Sequence, residues 1–359
     1  MFPLVLIIST LLCPSFVAST ASPVVTPAAV AAKYSLSAST SLPFPTATLS
    51  SSDTQSYLSS SWPLQGGIDR GMYLAFVDDP FPTSSPSSSA GIPEPTGPVL
   101  QVTYPAGSYS NNTGGAQFYA AWGGSNGAPF NSMVLTYEVA FDSDFNWVMG
   151  GKLPGLRGGP DDDGCSGGSG ANGSNCFTAR LMWRTDGQGE VYSYFLPTSE
   201  LCASPDFICN NDGYGTSIDR GSFSFVAGAW NRVTLYVGLN SLLNSSDGQV
   251  ALYYNNTLAL TETDLQYRNS SGINIGGLFF STFFGGSTTA WATPQTVHTY
   301  FRDFQMWGST AAASPVSSSP PASTSTGSKP SGASSVQVAW ISLAGVLFVD
   351  VFFAGGLFW

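Results

Sequence analysis

Short runs of alternating or β-branched residues, separated by turn residues, fill the middle of this sequence. Such runs are typical of β-strands, because successive side chains of a strand point to opposite faces of a sheet. Helical periodicity is nearly absent, which argues against alternating strands and helices. We therefore expect an all-β sandwich or barrel. The runs are Val99–Tyr104, Ser132–Phe141, Asn146–Lys152, Thr178–Arg184, Glu190–Leu196, Ser222–Val226, Asn231–Leu239, Gln249–Tyr254, Gly277–Phe284 and Val297–Trp307.

One stretch narrows the fold further. The segment from Phe223 to Val237 resembles the edge and return strands of concanavalin-like jelly rolls. We therefore expect a β-jelly roll, a sandwich of two antiparallel sheets. An open sheet of this kind offers a groove for a long polymer.

Changes in composition divide the chain. The apolar start predicts a secretory signal peptide over residues 1–20. Residues 21–61 and 309–335 are rich in Ser, Thr, Ala and Pro, so we expect a linker and an extended stalk. Residues 62–308 are aromatic and Gly-rich, as expected for one β-jelly-roll domain. The apolar residues 336–359 behind a short polar spacer predict a GPI-attachment signal, with a plain membrane anchor as the alternative.

Cysteine use agrees with export, and we expect a secreted, monomeric protein at the cell surface or cell wall, held to the membrane by its C-terminal anchor. Four cysteines follow the predicted signal, and their spacing favours two local disulfides, Cys165 with Cys176 and Cys202 with Cys209, although four cysteines allow three pairings. Five Asn-X-Ser/Thr sequons predict N-glycosylation. They begin at Asn111, Asn172, Asn244, Asn255 and Asn269.

Positive charge is scarce and locally concentrated. The formal net charge is −11, and only 9% of the residues are charged. This acidic balance disfavours nucleic-acid binding. Residues 62–308 contain one lysine and eight arginines, and four of these cations lie between residues 152 and 184. We expect Lys152, Arg157, Arg180 and Arg184 to form a cationic cluster, with pairing to nearby aspartates as the alternative.

A predicted hairpin places some of these cations beside tyrosines. The strands 178–184 and 190–196 flank a turn-rich connection, and residues two apart in a strand share a face. A turn centred at Gly187 places Arg180 opposite Tyr194. Thr178, Arg180, Tyr192 and Tyr194 then share one sheet surface, while the intervening apolar residues face the core. A slip of one residue would reverse the faces.

Three motifs resemble polysaccharide lyase family 14, which includes alginate and glucuronate lyases of viruses and molluscs and many fungal relatives. The first is GGKLPGL at Gly150–Leu156, which also resembles the glucuronan lyases of family 20. The second is FTARLMWR at Phe177–Arg184, and the third is GEVYSY at Gly189–Tyr194. The resemblance covers roughly residues 99–307.

The resemblance implies a jelly-roll lyase that cleaves an acidic polysaccharide by β-elimination. It implies that Lys152, Arg180, Tyr192 and Tyr194 are catalytic, and that Thr178 binds substrate where the alginate enzymes have Ser. We add Arg157 and Arg184 as candidate substrate-binding residues. Arg180 is suited to neutralise the sugar carboxylate, because its planar fork matches a carboxylate. Lysine or tyrosine can serve as base and tyrosine as acid. This chemistry requires no cofactor and no metal.

Other functions fit the residues less well. A glycoside hydrolase needs two carboxylates facing one bond, and Glu138 and Glu190 are each isolated on strand-like sequence. A G-x-S-x-G match at Gly164–Gly168 lacks the strand–turn–helix context of a serine hydrolase. The main alternative is a non-catalytic carbohydrate-binding or cell-wall adhesion protein on the same fold. The joint presence of the lysine, the arginine and the two tyrosines favours the lyase.

Overall fold

The structure is a computed structural model that describes residues 24–82, 96–122, 129–210 and 212–313. The predicted signal peptide, nearly all of the predicted stalk and the predicted C-terminal anchor lie outside these ranges. Within them, no helix is long and apolar enough to cross a membrane. The helices are α1 (Pro27–Lys33), α2 (Ser51–Ser61) and the single turn α3 (Ser110–Thr113).

The described part of the chain contains sixteen strands. They are β1 (Ala38–Ser41), β2 (Leu64–Asp69), β3 (Leu74–Val77), β4 (Val99–Tyr104), β5 (Ala116–Ala121), β6 (Ser132–Phe141), β7 (Gly151–Gly158), β8 (Phe177–Trp183), β9 (Gln188–Tyr194), β10 (Phe207–Ile208), β11 (Thr216–Ser224), β12 (Trp230–Gly238), β13 (Gly248–Tyr254), β14 (Thr257–Leu265), β15 (Ile275–Phe284) and β16 (Val297–Ser309).

The strands build two antiparallel sheets of eight strands each. The front sheet has the order β10-β11-β9-β8-β7-β15-β5-β2. The back sheet has the order β14-β13-β12-β6-β16-β4-β3, and β1 joins it by pairing with β16. This two-sheet architecture confirms the predicted β-jelly roll.

The apolar core lies between the two sheets and explains which side chains face outward. Phe177, Ala179, Leu181 and Trp183 of β8 belong to this core, as does every second residue of β6 from Met133 to Phe141. Because side chains alternate along a strand, the remaining residues of β8 lie on the outer face of the front sheet. That face carries the site described below.

Residues 24–61 pack onto the domain, so the prediction of a linker over residues 21–61 is wrong for this stretch. Helix α1 covers the outer face of the back sheet, where Val30 belongs to one apolar cluster with Val134 and Tyr236. Strand β1 extends the back sheet, and α2 buries Leu58 completely. Composition misled here, because a few well-placed apolar residues anchor a segment that is otherwise Ser- and Thr-rich.

Two predicted strands are misplaced. The run Ser222–Val226 covers only the end of β11. In the run Asn146–Lys152, strand β7 begins only at Gly151, and Val148 and Met149 form a turn. Trp147 belongs to the turn and packs against the main core from there. An apolar residue at this position therefore does not indicate a strand, because it packs against the core from a loop.

Candidate active site

Three neighbouring strands of the front sheet bring the predicted catalytic residues together. Lys152 lies on β7, Arg180 on β8, and Tyr192 and Tyr194 on β9. Leu181 and Val191 point into the core, as predicted, so the catalytic candidates share the outer face. Tyr192, Tyr194 and Met182 form a separate apolar cluster on that face.

The register of this hairpin differs from the prediction by two residues. Arg180 lies opposite Tyr192, and Thr178 lies opposite Tyr194. The turn is centred at Asp186, whose φ of 58° places it in the left-handed region, rather than at Gly187. A shift of two residues preserves the faces, so the predicted shared surface holds although the partners change.

Arg180 is buried and has polar but uncharged partners. Its guanidinium donates to Ser281 Oγ at 3.3 Å and to Ser166 Oγ at 3.4 Å, and its Cζ lies 4.7 Å from the ring centre of Phe279. Across the described ranges no carboxylate forms an ion pair with it. Burial lowers the pKa of Arg180, but a guanidinium remains charged at any physiological pH. The fold therefore holds a buried positive charge beneath the outer face.

Lys152 is an amine whose surroundings oppose its charge. Its Nζ lies 3.2 Å from the ring centre of Tyr192 and 2.8 Å from Met182 Sδ. Burial holds the pKa of Lys152 well below its usual value, and the nearby guanidiniums of Arg180 and Arg184 lower it further. A neutral amine at this position can accept a proton.

The two tyrosines meet edge to face, with ring centres 5.8 Å apart. Burial, aided by the neighbouring Tyr194, raises the pKa of the Tyr192 phenol. Tyr192 therefore keeps its proton and can act as a proton donor. The hydroxyl of Tyr194 accepts a hydrogen bond from the backbone N–H of Gly168 at 3.4 Å.

Residues 159–176 form a loop, here called the disulfide loop, that contacts several of these side chains. The disulfide Cys165–Cys176 closes it, and Cys202–Cys209 forms the second bridge, so both predicted pairings are confirmed. Thr178 is fully buried, and its hydroxyl donates to the carbonyl of Cys165 at 2.8 Å. The predicted substrate contact of Thr178 therefore finds no support, because this hydroxyl does not face the open surface.

The predicted cationic cluster is divided by ion pairs. Arg157 lies 4.2 Å from the ring centre of Tyr119 and donates to Asp162 Oδ1 at 3.1 Å. Arg184 donates to Glu190 Oε1 at 2.6 Å. Lys152 and Arg180 are the members of this cluster without a carboxylate partner in the described part of the chain.

A groove of about 460 Å³ lies over β5, and Ser166 in its lining also contacts Arg180. The sequence analysis did not identify the residues of β5 that line this groove. Gln117 and Tyr119 lie on the outer face of β5, since Phe118 between them belongs to the core. Ser281 donates to Gln117 Oε1 at 2.9 Å and accepts a hydrogen bond from Arg180. Apolar core residues alternate with Gln117 and Tyr119 in Ala116–Ala121, and this pattern could have identified β5 from the sequence. The groove is lined by Gln65, Gly66, Gly67, Asp69, Asn111, Gln117, Phe118, Tyr119, Asp162, Asp163, Ser166 and Gly167.

The two isolated glutamates are not placed for glycoside hydrolysis. Glu138 is fully buried on the back sheet between Arg232 and Arg302. Glu190 is fully buried on the front sheet, so the two carboxylates belong to different sheets. They do not flank a common bond, as a glycoside hydrolase would require.

Comparison with known proteins supports the resemblance. The sequence profile described as Polysaccharide lyase 14 matches residues 93–304. The solved marine PL-14 alginate lyase from Aplysia kurodai is 30% identical, covers 74% of this chain and 100% of its own, and superposes with a TM-score of 0.60.

A second solved structure shares the fold at lower identity. The alginate lyase of a Chlorella virus is 22% identical over 73% of this chain and 99% of its own, with a TM-score of 0.53. A search of curated proteins found no significant match. The profile spans more than half of the chain, and the Aplysia enzyme is covered along its whole length. The chain therefore belongs to polysaccharide lyase family 14 and is a polysaccharide lyase.

Proposed function

We propose that this lyase cleaves a polymer of uronic acids, alginate-like or glucuronan-like, by β-elimination at the surface around Arg180. The observation that carries the proposal is Arg180 itself, a buried guanidinium with neutral partners. A buried charge without a counter-charge is costly, and a substrate carboxylate would supply the missing partner. The guanidinium fork matches a carboxylate in a bidentate arrangement.

The elimination removes the proton on C5, next to the sugar carboxylate, and breaks the C4–O bond. In our proposal Arg180 binds the carboxylate and stabilises the negative charge that develops on it. The neutral amine of Lys152 takes the C5 proton, and the electron pair of the C5–H bond forms the C4=C5 double bond. Tyr192 or Tyr194 protonates the departing C4 oxygen.

Binding at Arg180 requires a change at the disulfide loop. Arg180 has no exposed surface, and one of its guanidinium N–H groups donates a long hydrogen bond of 3.4 Å to Ser166 Oγ of this loop. In our proposal the sugar carboxylate takes the place of the serine hydroxyls, as expected because a charged acceptor bonds more strongly than a neutral one.

Secretion and attachment to the cell surface are part of the proposal. Two disulfides are typical of exported proteins. Three of the five predicted glycosylation sites, Asn172, Asn244 and Asn269, are exposed, whereas Asn111 and Asn255 are partly buried. Immunofluorescence on intact cells, with and without phospholipase treatment, would test the predicted lipid anchor.

The purified full-length protein, assayed with alginate, glucuronan and an uncharged β-glucan, tests the reaction. Ultraviolet absorbance of the unsaturated uronate product should rise with a polyuronate and stay flat with the glucan. Arg180→Gln should reduce kcat/KM about 100- to 1,000-fold, the usual effect of losing one stabiliser of developing charge. Binding of a polyuronate without any product would overturn the proposal and favour the carbohydrate-binding alternative.

A further inference from the structure

Glu190 joins two arginines at the edge of the candidate site. Its Oε1 accepts from Arg184 at 2.6 Å, and its Oε2 accepts from Arg220 Nε at 2.6 Å. Ser217 Oγ ties the group together, since it donates to Glu190 and accepts from both arginines, at 3.2 Å from Arg184 and 2.7 Å from Arg220. We call these four residues the Arg184–Glu190–Arg220 cluster.

This cluster keeps a surplus of positive charge and of hydrogen-bond donors. Two guanidiniums and one carboxylate leave one net positive charge. The Glu190 side chain has no exposed surface, whereas that of Arg220 is 33% exposed. Arginine carries five N–H donors, and the bonds of Arg220 to Glu190 and Ser217 use two of them among the described residues. The remaining donors are available to an anion from solution.

The cluster lies in line with Arg180. Arg180 pairs across the sheet with Tyr192, and Tyr192 pairs with Ser217, so the three form one row that crosses β8, β9 and β11. Neighbouring strands are about 4.8 Å apart, which places the backbone of Ser217 about 10 Å from that of Arg180. A polymer that crosses the strands along this row meets Arg180 first and the exposed Arg220 two strands further on.

The acidic residue next to Arg220 belongs to a different group. Asp219 lies beside Asp206 and Glu262, and carboxylate oxygens of these three residues lie within 4.8 Å of one another. Glu262 is on β14 of the back sheet, so Asp219 faces the edge between the two sheets. Among the described residues, no ion pair joins Asp219 to the Arg184–Glu190–Arg220 cluster.

We infer that the Arg184–Glu190–Arg220 cluster is a second carboxylate-binding subsite, which holds another uronate of the same polymer while Arg180 holds the uronate that reacts. The inference rests on the proposed function. It specifies the substrate class as a chain with closely spaced carboxylates, and it assigns a binding role to Arg220. Glu190 positions both guanidiniums and does not touch the polymer.

Arg220→Gln tests the subsite without removing the second arginine from Glu190. Kinetics on a long polyuronate should show KM raised about 10-fold, equivalent to about 1.4 kcal/mol, with a much smaller change in kcat. Arg220→Lys, which keeps the charge but loses the fork, should recover part of the affinity. Lys33→Gln, which removes one charge on the back-sheet side, is the matched control and should behave as wild type.

Calorimetric binding of the same polyuronate separates this inference from the proposed function. A wild type that binds without cleaving would overturn the proposed reaction, yet weaker binding by Arg220→Gln would still support the subsite. An active wild type with the same KM and Kd as Arg220→Gln would overturn the subsite and leave the reaction standing. A fall in kcat at unchanged KM would also overturn it, because Arg220 would then only maintain the structure around Tyr192.

Discussion

Lys152 shows how one amine can be prepared for proton transfer by its neighbours. Burial opposes the charge of its amine, and the guanidiniums of Arg180, Arg184 and Arg220 add repulsion. Glu190 acts in the opposite direction, but its charge is already shared between Arg184 and Arg220. The pKa of Lys152 is therefore lowered, and the reactive neutral form is populated at a lower pH than for an ordinary lysine.

This lowered pKa predicts the pH dependence of the reaction. Below the pKa of Lys152 the amine is protonated and cannot take the C5 proton, so kcat/KM should rise with pH through that pKa. Arginine in place of Lys152 stays protonated throughout the assay range and cannot take a proton, so Lys152→Arg should lower kcat about 100- to 10,000-fold. Steady-state kinetics of both proteins across the pH range measures this. Substantial activity of Lys152→Arg would show that Lys152 supplies charge rather than a base.

The disulfide loop is the element that connects several parts of the site. It provides Ser166 to Arg180, the N–H of Gly168 to Tyr194, and the carbonyl of Cys165 to Thr178. Since three strand residues depend on one loop, the bridge that closes the loop also organises the surface around Arg180.

The double variant Cys165→Ser/Cys176→Ser should therefore lose both stability and catalytic activity. Opening a loop of this size costs about 2–4 kcal/mol of unfolding free energy. We expect kcat/KM to fall about 10-fold as well, because the N–H of Gly168 no longer holds the hydroxyl of Tyr194 in a fixed geometry. Urea unfolding and kinetics at a temperature where the variant is folded measure the two effects separately.

The second bridge provides the matched control. Cys202→Ser/Cys209→Ser opens a loop with a sequence separation of 7, against 11 for the first bridge. It should lower stability with little change in kcat/KM. Equal kinetic losses in the two double variants would show that the disulfide loop has no special role in the site.

At the level of elements, local pattern predicted several strands but missed others, among them β5 and β14. Strands β4 and β6 have the predicted bounds, and the hairpin of β8 and β9 presents the predicted faces. The site could be predicted as far as Lys152, Arg180 and the two tyrosines. Ser166 and Ser281 could not, because their contacts with Arg180 join segments far apart in the chain. The ion pair of Arg184 with Glu190 depends on the register, which sequence left open.

At the scale of the whole molecule, the N-terminal segment completes the sandwich. The family profile begins at residue 93, after both long helices and the strands β1, β2 and β3. Yet β1 pairs with β16, α1 covers the outer face of the back sheet, and α2 buries Leu58 in the core. A domain defined by the profile alone would leave these surfaces uncovered.

Removal of residues 1–61 should therefore destabilise the protein severely. Leu42, Leu58 and Val30 are almost or fully buried, and full burial of such a side chain contributes about 1.5–3 kcal/mol. Their loss, on the order of 5 kcal/mol, is comparable to the entire stability of many domains. Urea unfolding of this truncation, beside a control that lacks residues 1–23 only, measures the contribution. Equal unfolding free energies of the two truncations would show that residues 24–61 add nothing to the fold.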